Sequence, residues 1–135
     1  MNYEQARAYA VNVSRSGSIL GLDSIENLMH ELGDIQERLK IIHIAGTNGK
    51  GSTGAYLERV LIEAGYRVGR YSSPAVFDPM EVWRINLQSM SHEEYADIME
   101  QVKCACDRMV EKGMEHPTIF EVETAMAFLY FIRKM

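Results

Sequence analysis

His43-Ile44-Ala45-Gly46-Thr47-Asn48-Gly49-Lys50-Gly51-Ser52-Thr53 is the stretch whose reading decides the fold of this chain. The residues leading into it, 39–44, form a short apolar run rich in β-branched side chains, which predicts a buried strand. The residues after it, 52–64, carry a helical pattern that Gly65 stops. Strand, glycine-rich turn and helix together make the context in which a phosphate-binding loop is credible. Gly46, Gly49 and Gly51 can adopt positive φ and expose backbone N–H groups, so the turn can form an anion nest. The helix start adds unpaired donors and partial positive charge, and Lys50 adds a mobile ammonium for outer phosphates. The spacing departs from the common G-x-x-x-x-G-K-[ST] loop. Gly46 stands only three residues before Gly49, and Gly51 occupies the position of the usual metal-binding hydroxyl, with Ser52 and Thr53 following. The competing reading is a plain glycine turn with Lys50 solvated. The agreement of the whole strand–loop–helix unit favours nucleotide phosphate.

The bulk numbers set the frame. With 135 residues, 47% of them hydrophobic, the chain is long enough for one core. A net charge of −5 argues against a nucleic-acid or membrane-surface partner. No apolar run reaches the roughly 18–20 residues that span a bilayer, and residues 1–7 lack the basic-then-apolar order of a signal peptide. A cytoplasmic protein is expected. Cys104 and Cys106, the only cysteines, are two apart in a helical stretch and project from different faces, which suits neither a disulfide nor a metal pair.

Along the chain, residues 2–15 predict an amphipathic helix with Tyr3, Ala6, Ala10 and Val13 on one stripe, broken by Ser16-Gly17-Ser18. Residues 19–22 lead to a short packing helix over 24–32 with Gly33 as its stop, and His30 reads as a surface residue. Residues 67–71 predict a second strand, parallel to the first through a right-handed crossover. Ligands of such sheets bind beyond the carboxyl ends of the strands. Ser72-Ser73-Pro74 would then share an edge with the phosphate loop, although the three residues alone read as an ordinary turn. Residues 75–86 predict a loop and β-ribbon. Its apolar surface from Phe77, Met80 and Trp83 is either tucked into the core or part of a ligand wall. Ser91 and Glu94 form a capping box that opens a helix to about residue 112, with Tyr95, Ile98, Met99, Val102, Ala105 and Met109 on its buried side. The last helix is expected over residues 119–134.

That last helix sets Glu121 on an apolar stripe with Ala125, Phe128 and Ile132. A buried carboxylate needs a cation or several donors. Thr118-x-x-Glu121 is itself a capping box and would satisfy the carboxylate locally, so both readings stand on the residues alone. Glu123 points to another face of the helix and carries no catalytic expectation.

The order Ile42-His43-Ile44-Ala45-Gly46-Thr47-Asn48-Gly49-Lys50-Gly51-Ser52-Thr53 closely resembles the phosphate loop of the folylpolyglutamate and dihydrofolate synthases, members of the Mur ligase superfamily. The shortened loop, with glycine directly after the lysine, is that family's own version. Ser72-Ser73-Pro74 is similar to the family's Thr-Ser-Pro, and Phe120-Glu121-Val122-Glu123-Thr124-Ala125 to its Phe-Glu-x-x-Thr-Ala. The resemblance implies an α/β fold, a P-loop-containing parallel sheet in three layers like the Mur ligase central domain. Residues 1–135 would be the N-terminal part of that ATP-binding domain, with its remainder and the glutamate-binding C-terminal domain lying outside. It implies ATP phosphates on Gly46, Thr47, Asn48, Gly49, Lys50, Gly51, Ser52 and Thr53, with Lys50 catalytic. It implies Mg²⁺ held through Ser73 and Glu121, and a folate-side loop containing Phe77, Glu81, Trp83 and Arg84. Within that loop Glu81, Arg84, Ile85 and Asn86 match the family, while Ala75 replaces a histidine, Val82 replaces an arginine and Trp83 is added. Folate and dihydropteroate therefore both stay open as acceptors. The implied activity is ATP-dependent addition of L-glutamate through an acyl phosphate, by an enzyme monomeric at full length. Two alternatives remain: a nucleotide-binding module without turnover, and another Mur-type amide ligase acting on a cell-wall precursor.

Overall fold

The computed structural model describes residues 1–17, 21–73 and 75–135. Packing of the chain divides it into two units, one made of Met1–Leu39 with Ser91–Lys134, the other of Lys40–Met90 with Met135.

The first unit is helical. Helix α1 (Tyr3–Ser14) starts at Asn2, whose side chain accepts from the Gln5 amide while Gln5 answers to the Asn2 amide. Helix α2 (Asp23–Glu31) follows, and a 3-10 turn (Ile35–Arg38) closes the segment. Ser91 and Glu94 form the expected capping box of α4 (His92–Glu111), and Thr118 with Glu121 forms that of α5 (Ile119–Arg133). These caps satisfy amides that a helix start leaves without partners, each typically worth about 1 kcal/mol. The predicted stripe of α4 is the buried one. Tyr95, Ile98, Met99, Val102, Ala105 and Met109 are all at most 1% exposed, and α4 packs against α1, α2 and α5. Val122, Ala125, Met126 and Tyr130 of α5 complete this core. Burying a side chain of this size contributes about 1.5–3 kcal/mol, so the two helices anchor the unit. His30 is a surface residue, its Nδ1 3.1 Å from Asp34.

The second unit holds helix α3 (Lys50–Glu63) and a three-stranded sheet of β1 (Gly69–Tyr71), β2 (Trp83–Ile85) and β3 (Gln88–Ser89), in that order and antiparallel throughout. Tyr71 faces Trp83 across the ladder, rings stacked at 6.5 Å. Trp83 is 1% exposed, so of the two readings of the apolar loop it takes the buried one, as does Met80; Phe77, at 94%, does not.

Two expectations need correction. The strand expected over residues 39–44 is not formed, and Ile41 and Ile42 are 56% and 61% exposed. A strand exists through bonds to a neighbour, and no described segment pairs with this run. The parallel pairing expected of the next strand is therefore not formed; β1 pairs antiparallel with β2. The reason is the missing first strand: α3 is long enough to serve as a crossover, but the run before it offers β1 no ladder to pair with. Helix α3 also begins at Lys50, earlier than the pattern from Ser52 suggested. The lead-in over residues 19 and 20, the break at Ser18 and the proline of Ser72-Ser73-Pro74 lie outside the described residues. No described helix is long and apolar enough to cross a membrane.

Candidate functional site

The phosphate-loop residues come together at the start of α3. Gly49 is the N-cap, with φ +78° and ψ +3°, a left-handed conformation that costs a residue with a Cβ about 1–2 kcal/mol. Because the cap is a glycine, no side chain takes up the first amides of the helix, and no acidic residue stands in its first turn. The Thr53 amide donates to the Gly49 carbonyl at 2.9 Å, which closes the turn and leaves the amides of residues 50–52 as the free donors of the helix start. Residues 45–53 are exposed, Lys50 among them. The helix dipole adds partial positive charge at the same point. Loop, helix start and lysine thus form one cationic donor cluster facing solvent, a surface suited to the oxygens of a polyphosphate.

Ser73 follows β1 and is exposed; its neighbour Ser72 extends the ladder by donating to the Val82 carbonyl at 3.1 Å. Glu121 belongs to the helical unit and is 7% exposed. Its Oε1 accepts from the Thr118 amide at 3.0 Å and from the Thr118 hydroxyl at 3.1 Å, so the capping box foreseen in the sequence is present. Both capping bonds fall on Oε1. A carboxylate and a hydroxyl are the hard oxygen donors that Mg²⁺ prefers, and an ion that keeps several waters needs few protein ligands. Ser73 and Glu121 fit that chemistry by type. Among the described residues there is no group of three or more His, Cys, Asp or Glu side chains able to hold a metal by itself. Cys106 is buried, which pushes its thiol up to about 12 and leaves it protonated at neutral pH.

The expected folate-side residues divide by role. Phe77 is open to solvent. Glu81 is bound into its own loop, its Oε1 accepting from the amides of Asp78 at 2.6 Å and Phe77 at 2.7 Å. Those donors hold its carboxyl below the usual carboxylate range, Asp78 first. Trp83 is buried. Arg84 donates through Nη2 to Glu58 Oε1 at 3.1 Å.

Glu58, which sequence reasoning missed, is the one fully buried residue of α3. The same Oε1 also accepts from Arg70 Nη1 at 3.2 Å. In the sequence Glu58 reads as an ordinary surface charge. The single hint is Gly54 one turn earlier on the same face, a small residue at i−4 that leaves room for a large neighbour.

No family model matches the chain. The dihydrofolate synthase/folylpolyglutamate synthase of Bacillus subtilis is 37% identical over 129 residues, which is 96% of this chain and 30% of that protein. The crystal structure of folylpolyglutamate synthase from Thermotoga maritima superposes on 98% of the chain with a TM-score of 0.89 at 36% identity. The chain is a relative of the folylpolyglutamate and dihydrofolate synthases. A bifunctional folylpolyglutamate synthase/dihydrofolate synthase solved with Mn, AMPPNP and L-glutamate bound also matches, at TM-score 0.83 and 32% identity over 98% of the chain. The chain spans about 30% of the length of these three proteins. The likeness bears out the expected Mur-ligase-like fold, of which the described residues are a portion.

Proposed function

We propose that this folylpolyglutamate synthase-like chain is the N-terminal part of the ATP-binding domain of a cytoplasmic, monomeric ligase. That ligase adds L-glutamate to a folate, to dihydropteroate, or to both. The observation that carries the proposal is the glycine-capped start of α3, where unfilled amides and Lys50 meet at an exposed loop. It is supported by the likeness of the whole chain to its relatives, whose names carry this activity.

In the proposed reaction a carboxylate oxygen of the acceptor attacks the γ-phosphorus of ATP and ADP leaves. The amine of glutamate then attacks the acyl carbon, phosphate leaves, and the amine gives up a proton as the amide forms. Lys50 and the amides of residues 50–52 hold the transferred phosphoryl and offset its growing charge, which is most of what such a transfer requires. A magnesium ion, when bound, supplies further neutralisation of the phosphate oxygens, and Ser73 and Glu121 are the residues that would hold it. Phe77, Glu81 and Arg84 would line the acceptor side, with Trp83 packed behind them as a support. A second reading is kept because the chain spans about 30% of its relatives: taken by itself, it binds nucleotide without turnover.

Calorimetry with ATP and Mg²⁺ tests the proposal. Lys50→Ala is expected to weaken binding by about 1.5–3 kcal/mol, the worth of a hydrogen bond to a charged group. Gly49→Val is expected to abolish binding, since a β-branched residue is strained at φ +78°. Equal affinity in the parent and both variants would sink the phosphate-site assignment.

A further inference from the structure

Arg70 and Arg84 stand directly opposite each other on the β1–β2 ladder, a like-charge pairing that is unfavourable without a counter-charge. Glu58 supplies it, Oε1 accepting from Arg70 at 3.2 Å and from Arg84 at 3.1 Å. Arg70 then reaches further. Its Nη2 donates to the carbonyl of Gly51 at 3.1 Å, and Gly51 is the residue after Lys50 in the first turn of α3. On the way the guanidinium crosses Gly54, where a Cβ would stand 3.3 Å from Nη2 and 3.4 Å from Cζ and Nε. A methyl at that distance would push the fork aside by a few tenths of an ångström, so the contact depends on glycine at 54. One side chain from the sheet therefore grips α3 at two points, Gly51 and Glu58, through the planar fork that lysine lacks. Two guanidinium groups on one carboxylate also leave the cluster one positive charge in excess, beside the helix start that would receive phosphate.

We infer that Arg70 is a positioning residue for the phosphate loop. It fixes the first turn of α3, and with it the direction of the amides of residues 50–52 and the root of Lys50. This rests on the reading of the loop as a phosphate site, and the test separates the two.

ATP–Mg²⁺ affinity is measured by calorimetry in the parent, Arg70→Met, Arg70→Lys, Gly54→Ala, the Gly54→Ala/Arg70→Met pair and Lys50→Ala. Amide hydrogen exchange is followed without nucleotide. Arg70→Met is expected to weaken ATP about tenfold, with Arg70→Lys in between. It is also expected to speed exchange of the Thr53 amide while the α4 amides keep their protection. Gly54→Ala is expected to weaken ATP in the parent and to change nothing in the Arg70→Met background, a non-additivity that general destabilisation does not produce. If Lys50→Ala loses affinity while Arg70→Met keeps it, the positioning role is overturned and the phosphate site stands. Equal losses from Gly54→Ala in both backgrounds overturn it too. If the parent does not bind ATP, or Lys50→Ala binds as the parent does, the phosphate site is overturned and the positioning role falls with it. Should Arg70→Met not fold, Arg70→Lys and Gly54→Ala carry the same comparison.

Discussion

Replacing Glu58 by glutamine removes one charge from the second unit at nearly constant shape, and the structure sets the size of the effect. Glu58 is 3% exposed, and its Oε1 takes both arginines. Glutamine's amide oxygen can keep the acceptor that both arginines share, with its NH₂ group in the place of Oε2, which has no hydrogen-bond partner among the described residues. What the substitution removes is the negative charge, and that leaves the Arg70–Arg84 pairing without its counter-charge. Removing one partner of a buried ion pair costs about 3–5 kcal/mol. Arg70 and Arg84 keep 17% and 26% of their side-chain exposure, so water recovers part of that loss and the lower figure applies, about 3 kcal/mol. The chain has one tryptophan, Trp83, buried next to Arg84, so its fluorescence reports on this unit. With a urea slope of about 1.5 kcal/mol/M, a loss of about 3 kcal/mol lowers the urea midpoint by about 2 M. In an Arg70→Met/Arg84→Met background the same substitution is expected to stabilise instead, because the carboxylate is then a buried charge without a counter-charge. A midpoint that moves by less than about 0.3 M in the parent, or equally in both backgrounds, would refute the idea that the ion cluster secures α3 to the sheet.

Two further expectations concern the helical unit. Glu121→Gln still completes the capping box with Thr118, so the thermal midpoint should stay near that of the parent. In a full-length ligase carrying this segment the same change should lower activity and shift its magnesium dependence; an unchanged rate at every magnesium concentration would return Glu121 to the cap alone. Burial pushes the Glu123 carboxyl above the usual carboxylate range, with Arg7 opposing in part. A carboxyl that holds its proton more tightly folded than unfolded costs stability as pH rises through its ordinary range, and costs nothing below it. Glu123→Gln should therefore raise the thermal midpoint at pH 7.5 and leave it unchanged near pH 3; stabilisation of equal size at both would contradict this origin.

What the sequence determined by itself is what short-range physics controls. The capping pairs Ser91–Glu94 and Thr118–Glu121 lie within one turn, and the buried stripe of α4 follows from a 3.6-residue period, so both could be read before any partner was known. Gly49 at the start of α3 was legible for the same reason: the loop geometry needs positive φ there, and glycine accepts it. The tertiary structure alone decided the pairing of strands and the burial of charge. The apolar run at residues 39–44 looked like a core strand, yet ladder bonds come from another segment, and none of the described ones supplies them. Trp83 could have faced a ligand or the core, and its stacking against Tyr71 across the ladder chose the core. Glu58 is charged, and composition places charge at the surface. Only the arrival of Arg70 and Arg84, 12 and 26 residues away, makes its burial affordable in free energy, because a carboxylate leaves water only where other cations replace it.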